Sequence, residues 1–152
     1  MAIIGFNLNK ISAQKIKTNM VLGKVNINNN LALTEVKGLE VNLGSKDNEG
    51  LLIRFEYSCK YDPDVGLIAM EGEVVSVENH ETVKRCIETW NKTKILEKSV
   101  MHPVMAYILN KCTIQAIIMS RDVGLPVPVP MPKLENAPEN DAPKQAPKQT
   151  KK

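Results

Sequence analysis

Residues 51–61 alternate between apolar and polar side chains, and this pattern constrains the fold more than any other part of the chain. One set of alternate positions is apolar throughout: Leu51, Ile53, Phe55, Tyr57, Cys59 and Tyr61. From Arg54 onward the other set is polar, ending with Lys60. Successive side chains of a β-strand point to opposite faces, so this stretch predicts a long strand with one buried face.

Neighbouring segments predict an antiparallel sheet around this strand. Asp62, Pro63 and Asp64 favour a turn, so residues 65–77 are predicted to return as the second strand of a hairpin. Alternation at residues 4–9 and 24–33 predicts two more strands, with Ile4, Phe6 and Leu8 sharing a buried face. Residues 34–50 read as an irregular strand between loops. No helix separates these segments, which indicates antiparallel pairing.

After Glu78, apolar residues recur at the three- to four-residue spacing of a helix. Asn79 is a candidate cap for a helix over residues 80–92. Ser99 is a candidate cap for a second helix, with Pro103 in its first turn, a break near Lys111 and an end at Gly124. The predicted fold is therefore α+β, a four-stranded antiparallel sheet followed by two helices packed on it.

The C-terminal part divides into an extended arm and a tail. Four prolines alternate with apolar residues over 125–132, which predicts extended, polyproline-like chain at the end of a domain of residues 1–132. Residues 133–152 are rich in Lys and Pro and poor in apolar side chains, and are predicted to be a disordered tail. The tail carries five Lys against three acidic residues, so it holds +2 of the net charge of +3. The domain itself is nearly neutral.

The chain lacks the residue clusters that metal sites and active sites need. Cys59, Cys86 and Cys112 are 27 and 26 residues apart, and no Cys or His pair has metal-ligand spacing. His80 and His102 have no nucleophile beside them in sequence, and no phosphate-binding glycine loop occurs. We therefore expect no cofactor, no metal and no enzymatic activity.

The remaining candidate for function is apolar surface. Leu52, Ile68, Met70 and Val74 are predicted at the strand parity opposite to the buried face, where they would stay accessible. Such surface favours a homo-oligomer, a dimer or tetramer, with grooves for extended peptide. The candidate residues for peptide binding or for the oligomer interface are Phe55, Tyr57, Tyr61, Ile68, Met70 and Val74. An interface that covers the whole apolar surface is the alternative.

With this order of strands and helices, the chain resembles the SecB-type export chaperones, in particular the archaeal-type SecB-like proteins. The resemblance lies in FEYSCKYDPDVGLIAMEGEV at residues 55–74 and CTIQAIIMSRDVGLPVPVPMP at residues 112–132. It implies an assembly of dimers whose long apolar grooves hold unfolded chains without ATP, in protein export. It carries no motif that transfers residue by residue, so the site residues above rest on apolar parity alone.

Two functions follow as expectations. The first is an ATP-independent holdase that binds unfolded polypeptides. The alternative is a homodimeric adaptor or regulatory factor that docks on a ribosomal subunit or other ribonucleoprotein, with the basic tail contacting the ribosome. No run reaches the ~18 apolar residues of a membrane span and no apolar leader begins the chain. We therefore expect a cytoplasmic protein without membrane insertion.

Overall fold

The computed structural model describes residues 2–16, 25–42, 44 and 46–129. Its elements, in chain order, are β1 (Ala2–Lys15), β2 (Asn26–Leu39), β3 (Asn48–Asp62), β4 (Gly66–Asn79), α1 (His80–Thr93) and α2 (Lys98–Val123). The strands form one antiparallel sheet in the order β1-β4-β3-β2. The predicted fold class, four antiparallel strands followed by two helices, is confirmed.

Both helices pack on the same side of the sheet, which we call the helix-side face; the opposite side is the outer face. Helix α1 lies mainly over β2 and β3, whereas α2 lies over β1 and β4. The apolar set of β3 points to the helix-side face and is buried there. Thus the alternation in residues 51–61 predicted both the strand and the position of the core.

The register of β3 and β4 corrects one prediction. Tyr57 pairs with Met70, Cys59 with Ile68, and Ile53 with Val74. Residues directly opposite each other in an antiparallel ladder point to the same side of the sheet. Ile68, Met70 and Val74 therefore share the helix-side face with Tyr57, and the prediction that they face the other way was wrong.

Bulges in the edge strands correct two further details. The register of β1 shifts between Ile3 and Gly5, so Ile4 turns outward and is 51% exposed while Phe6 and Leu8 stay on the helix-side face. In β2 the shift lies between Leu33 and Glu35. One extra residue there lets the strand continue to Leu39, where the sequence predicted an irregular segment.

The two helices differ in how well their ends were predicted. The Asn79 side chain caps α1 as expected, accepting a hydrogen bond from the Thr82 backbone N–H at 2.8 Å. Helix α2 begins one residue before Ser99 and runs through Pro103 and Lys111 without a break. It is held by a buried stripe at four-residue spacing, comprising Val100, Val104, Ile108, Cys112 and Ala116. Packing of that stripe on the sheet outweighs the local preferences of Pro103 and the β-branched residues that followed the predicted break.

In the part of the chain that is described, no helix is both long and apolar enough to cross a membrane. The arm is described over residues 125–129, where it forms neither helix nor strand. The rest of the predicted arm and the whole predicted tail, residues 133–152, lie outside the described residues.

Candidate functional site

All six sequence-predicted site residues come together on the helix-side face of the two central strands. None is more than 2% exposed; they are Phe55, Tyr57, Tyr61, Ile68, Met70 and Val74. In the single chain they form the core beneath α2 and the arm, so they line no accessible groove while those segments are in place. Their role in binding a peptide or a second copy stays a prediction.

The aromatic part of this core links the sheet to α2. The Phe55 ring stacks on Phe6 with centroids 5.7 Å apart, and Phe6 meets Tyr107 of α2 edge-on at 5.9 Å. Phe55 reaches across β4 at Gly72, where an added Cβ would lie 2.7 Å from Phe55 Cζ. The absence of a side chain at Gly72 therefore allows the two phenylalanines to stack.

Two tyrosines in the core carry hydroxyl groups that need partners. The Tyr57 hydroxyl donates to Asn29 Oδ1 at 3.2 Å, and the Tyr61 hydroxyl donates to the Pro126 carbonyl at 2.7 Å. Burial raises the pKa of Tyr57 to about 12, and burial also raises the pKa of Tyr61. Both hydroxyls are therefore neutral donors at physiological pH, and one of them binds the arm directly.

The arm crosses the helix-side face at the hairpin end of the sheet. Leu125 is buried against Gly66, where an added Cβ would lie 2.7 Å from Leu125 Cδ2. Further along, the Asn29 side-chain amide donates to the Pro128 carbonyl at 3.4 Å. The arm thus runs from the start of β4, across β3, to β2.

Beside the arm, the edge strand β2 presents apolar side chains that the helices cover only in part. Ile27, Leu31 and Leu33 all point to the helix-side face and are half-buried. We call these three residues the β2 shelf. Asn29 lies between Ile27 and Leu31 on the same face, so the shelf and the arm are contiguous.

The outer face has a different character. Arg54 Nη1 donates to Glu35 Oε2 at 2.7 Å, and its Nε lies 3.6 Å from Glu73 Oε2, which forms a charged row across three strands. The hydrogen bond from Lys37 is the main cause that lowers the pKa of Glu35. Around this charged row, the outer face favours contact with solvent over contact with an apolar peptide.

The three cysteines are potential thiol nucleophiles and metal ligands. Cys59, Cys86 and Cys112 are free and buried, and burial raises the pKa of each thiol, in Cys112 to about 11. A thiol with a raised pKa is a poor nucleophile and a poor ligand. Within the described ranges, no group of three His, Cys, Asp or Glu side chains is placed to hold a metal ion.

Similarity to known proteins is visible in the structure and not in the sequence. No protein-family model matches this chain, and no curated protein matches its sequence. Among solved structures, the chain is similar to a SecB-like chaperone of Mycobacterium tuberculosis in complex with a ChAD peptide from the HigA1 antitoxin. The match has a TM-score of 0.51 and 11% sequence identity, and it covers 90% of this chain and 91% of the other. The fold is therefore SecB-like.

Asn29, which together with Tyr61 binds the arm, was not among the predicted site residues. Asn29 interrupts the apolar positions Ile27 and Leu31 of one strand face, and a polar residue at such a position is the signal that could have identified it. A glycine within a strand, such as Gly66, is also a signal of close approach by another segment. Its partner Leu125 could not be identified from it, because Leu125 lies about 60 residues away in sequence.

Proposed function

We propose that this protein is an ATP-independent holdase that binds unfolded or extended polypeptides along the helix-side face of its sheet. The observation that carries the proposal is the β2 shelf, a half-buried apolar strip beside a segment of extended chain that the protein already binds. Extended peptides bind such strips through apolar contacts and main-chain hydrogen bonds. The SecB-like fold supports the proposal, and the similar mycobacterial chaperone has a bound peptide.

A homo-oligomer is part of this proposal. Helix α2 exposes Ile114, Ile117 and Ile118, which are neighbours at three- and four-residue spacing on the helix surface. Strand β1 is an edge of the sheet. A second copy that covers these features would bury apolar side chains and pair the edge. Sedimentation velocity is expected to show a dimer or a larger assembly; a monomer at all concentrations would overturn this part of the proposal.

The direct test is suppression of aggregation. A chemically denatured client protein is diluted into buffer without nucleotide, with and without this protein, and light scattering is followed. We expect scattering to fall as the protein approaches a stoichiometric ratio to the client. Unchanged scattering at a several-fold excess of folded protein would refute the holdase function.

A pair of variants on one strand locates the surface. Leu31→Lys places a charge on the β2 shelf, whereas Ala32→Lys places it on the outer face beside Glu56. We expect the Leu31→Lys variant to need an about tenfold higher concentration for the same suppression of aggregation. The reason is that the lysine charge would have to lose its water when an apolar client binds. Ala32→Lys should behave as wild type. Equal effects of the two variants, with both folded by circular dichroism, would place binding elsewhere.

A further inference from the structure

The arm is bound in the manner of a peptide ligand. Its anchor is Leu125, which is 7% exposed and packs on the bare backbone of Gly66. Gly124, with φ of 69°, turns the chain out of α2 immediately before it. Val127, by contrast, is 42% exposed. The arm therefore has one side that packs on the domain and one side that faces outward.

The polar contacts to the arm reach its main chain. The carbonyls of Pro126 and Pro128, two residues apart, accept from Tyr61 and Asn29 at 2.7 and 3.4 Å. Carbonyls two residues apart on the same side are typical of extended chain. Proline has no N–H, so this segment presents acceptors to the face without leaving a donor unpaired. An extended peptide can present the same groups if it has an apolar side chain followed by two carbonyls that face Tyr61 and Asn29.

Besides these contacts and the burial of Pro128, few backbone hydrogen bonds tie the arm to the domain. Leu125 N–H donates to the Ser120 carbonyl at 2.8 Å, which completes the end of α2. Beyond that bond, residues 126–129 make no backbone–backbone hydrogen bond with the described part of the chain. When the arm leaves, the Tyr61 hydroxyl loses the Pro126 carbonyl as its acceptor. An incoming peptide carbonyl can replace it.

We propose that residues 125–129 are an intramolecular ligand that occupies a subsite for extended peptide, made of Gly66, Tyr61 and Asn29. The subsite continues into the β2 shelf, since Asn29 lies between Ile27 and Leu31. Release of the arm exposes a track that accepts an apolar, proline-containing chain, and return of the arm closes it. The proposal rests on the holdase function and specifies one part of its binding surface and the segment that competes for it.

The test uses the full chain and a fluorescein-labelled peptide, GLPVPVP, which copies residues 124–130. Binding is followed by fluorescence anisotropy. Leu125→Asp removes the anchor and should release the arm, so the peptide is expected to bind at least about tenfold more tightly than it binds wild type. Val127→Asp is the matched control, because its side chain faces outward; it should bind the peptide like wild type.

A second substitution identifies the site on the domain. Adding Tyr61→Phe to Leu125→Asp removes the hydroxyl donor, and peptide affinity should fall by about two- to tenfold. If Leu125→Asp does not fold by circular dichroism, the milder Leu125→Ala replaces it in the same comparison. A folded arm variant that binds the peptide no more tightly than wild type and Val127→Asp would overturn the proposal.

Failure of this proposal is distinguishable from failure of the holdase function, because aggregation suppression is measured on the same proteins. Suppression by wild type with unchanged peptide affinity in the arm variant would overturn the intramolecular ligand and leave the holdase standing. Tighter peptide binding by the arm variant, without suppression by any variant, would support the subsite and overturn the holdase function.

Discussion

Each of the two core tyrosines has a hydroxyl group that is hydrogen-bonded within the protein. Tyr57 and Tyr61 lie on the apolar face of β3, and the two residues are only 2% and 1% exposed. One hydroxyl is satisfied by Asn29 of the neighbouring strand and the other by the arm. Sequence alternation placed both side chains on the buried face, but it could not indicate their partners, because those lie 28 and 65 residues away.

The raised tyrosine pKa values predict a loss of stability at alkaline pH. The pKa of Tyr57 is about 12 in the folded protein against about 10 in an unfolded chain, so burial favours the neutral form. Its contribution is fully present below about pH 10 and is lost as pH rises toward 12. Between pH 9 and 11 the free energy of unfolding should fall by about 1 kcal/mol more in wild type than in Tyr57→Phe. Urea titrations at the two pH values measure this; an equal fall in both proteins would contradict it.

Two glycines offer a matched pair for the aromatic core. Gly72→Ala would place a Cβ 2.7 Å from Phe55 Cζ and against the Asn7 carbonyl, and should lower the free energy of unfolding by about 1–3 kcal/mol. In Gly5→Ala the added Cβ would meet only the Val75 side chain, at 3.5 Å or more, and the free energy of unfolding should change by no more than about 0.5 kcal/mol. Denaturant unfolding of both variants measures the difference. Equal stability of the two would show that Phe55 does not need the space at Gly72.

At the scale of elements, the long strand β3 was predicted well and the edge strands less well. Residues 51–61 carry an uninterrupted period of two, and β3 extends to either side of them. In β1 and β2 the period is broken by bulges, and one extra residue reverses which side chains face the core. The exposure of Ile4 is the result. No local residue preference reveals such a bulge; the pairing of a whole strand with its neighbour decides it.

The helix boundaries that depend on local hydrogen bonds were predicted better than those that depend on tertiary packing. The α1 cap is a local hydrogen bond, and Asn79 identified it from sequence. The unbroken course of α2 through Pro103 depends on its packing against the sheet, which the local sequence does not contain. The register of β4 against β3 also decides which side chains of β4 join the core, and so which predicted site residues are buried.

The hydrogen bond that caps α1 is expected to stabilise the folded protein. Asn79→Ala removes the acceptor for the Thr82 N–H and should lower the free energy of unfolding by about 1 kcal/mol. Asn91→Ala, on the exposed side of the same helix, is the control and should have no effect or a slightly stabilising one, since alanine favours helix. Thermal unfolding compares them. A loss with Asn91→Ala as large as with Asn79→Ala would show that the cap contributes nothing.

At the scale of the whole molecule, the two faces of the sheet have different chemistry. The helix-side face combines a buried core, the half-buried β2 shelf and a bound extended segment, whereas the outer face carries a row of ion pairs. The sequence predicted an apolar binding surface, but it assigned that surface to the central strands. The helices and the arm cover those strands, whereas the three side chains of the β2 shelf are half-buried.

Binding of unfolded chain to the β2 shelf can be observed directly by an NMR titration of methyl-labelled protein with a reduced, carboxymethylated client that cannot fold. Leu31 and Leu33 report on the β2 shelf, whereas Leu52 and Val75 report on the outer face of the same sheet. We predict that the methyl signals of Leu31 and Leu33 shift or broaden on addition of client and that those of Leu52 and Val75 do not. Changes confined to Leu52 and Val75, or no change at saturating client, would show that the client does not bind on the β2 shelf.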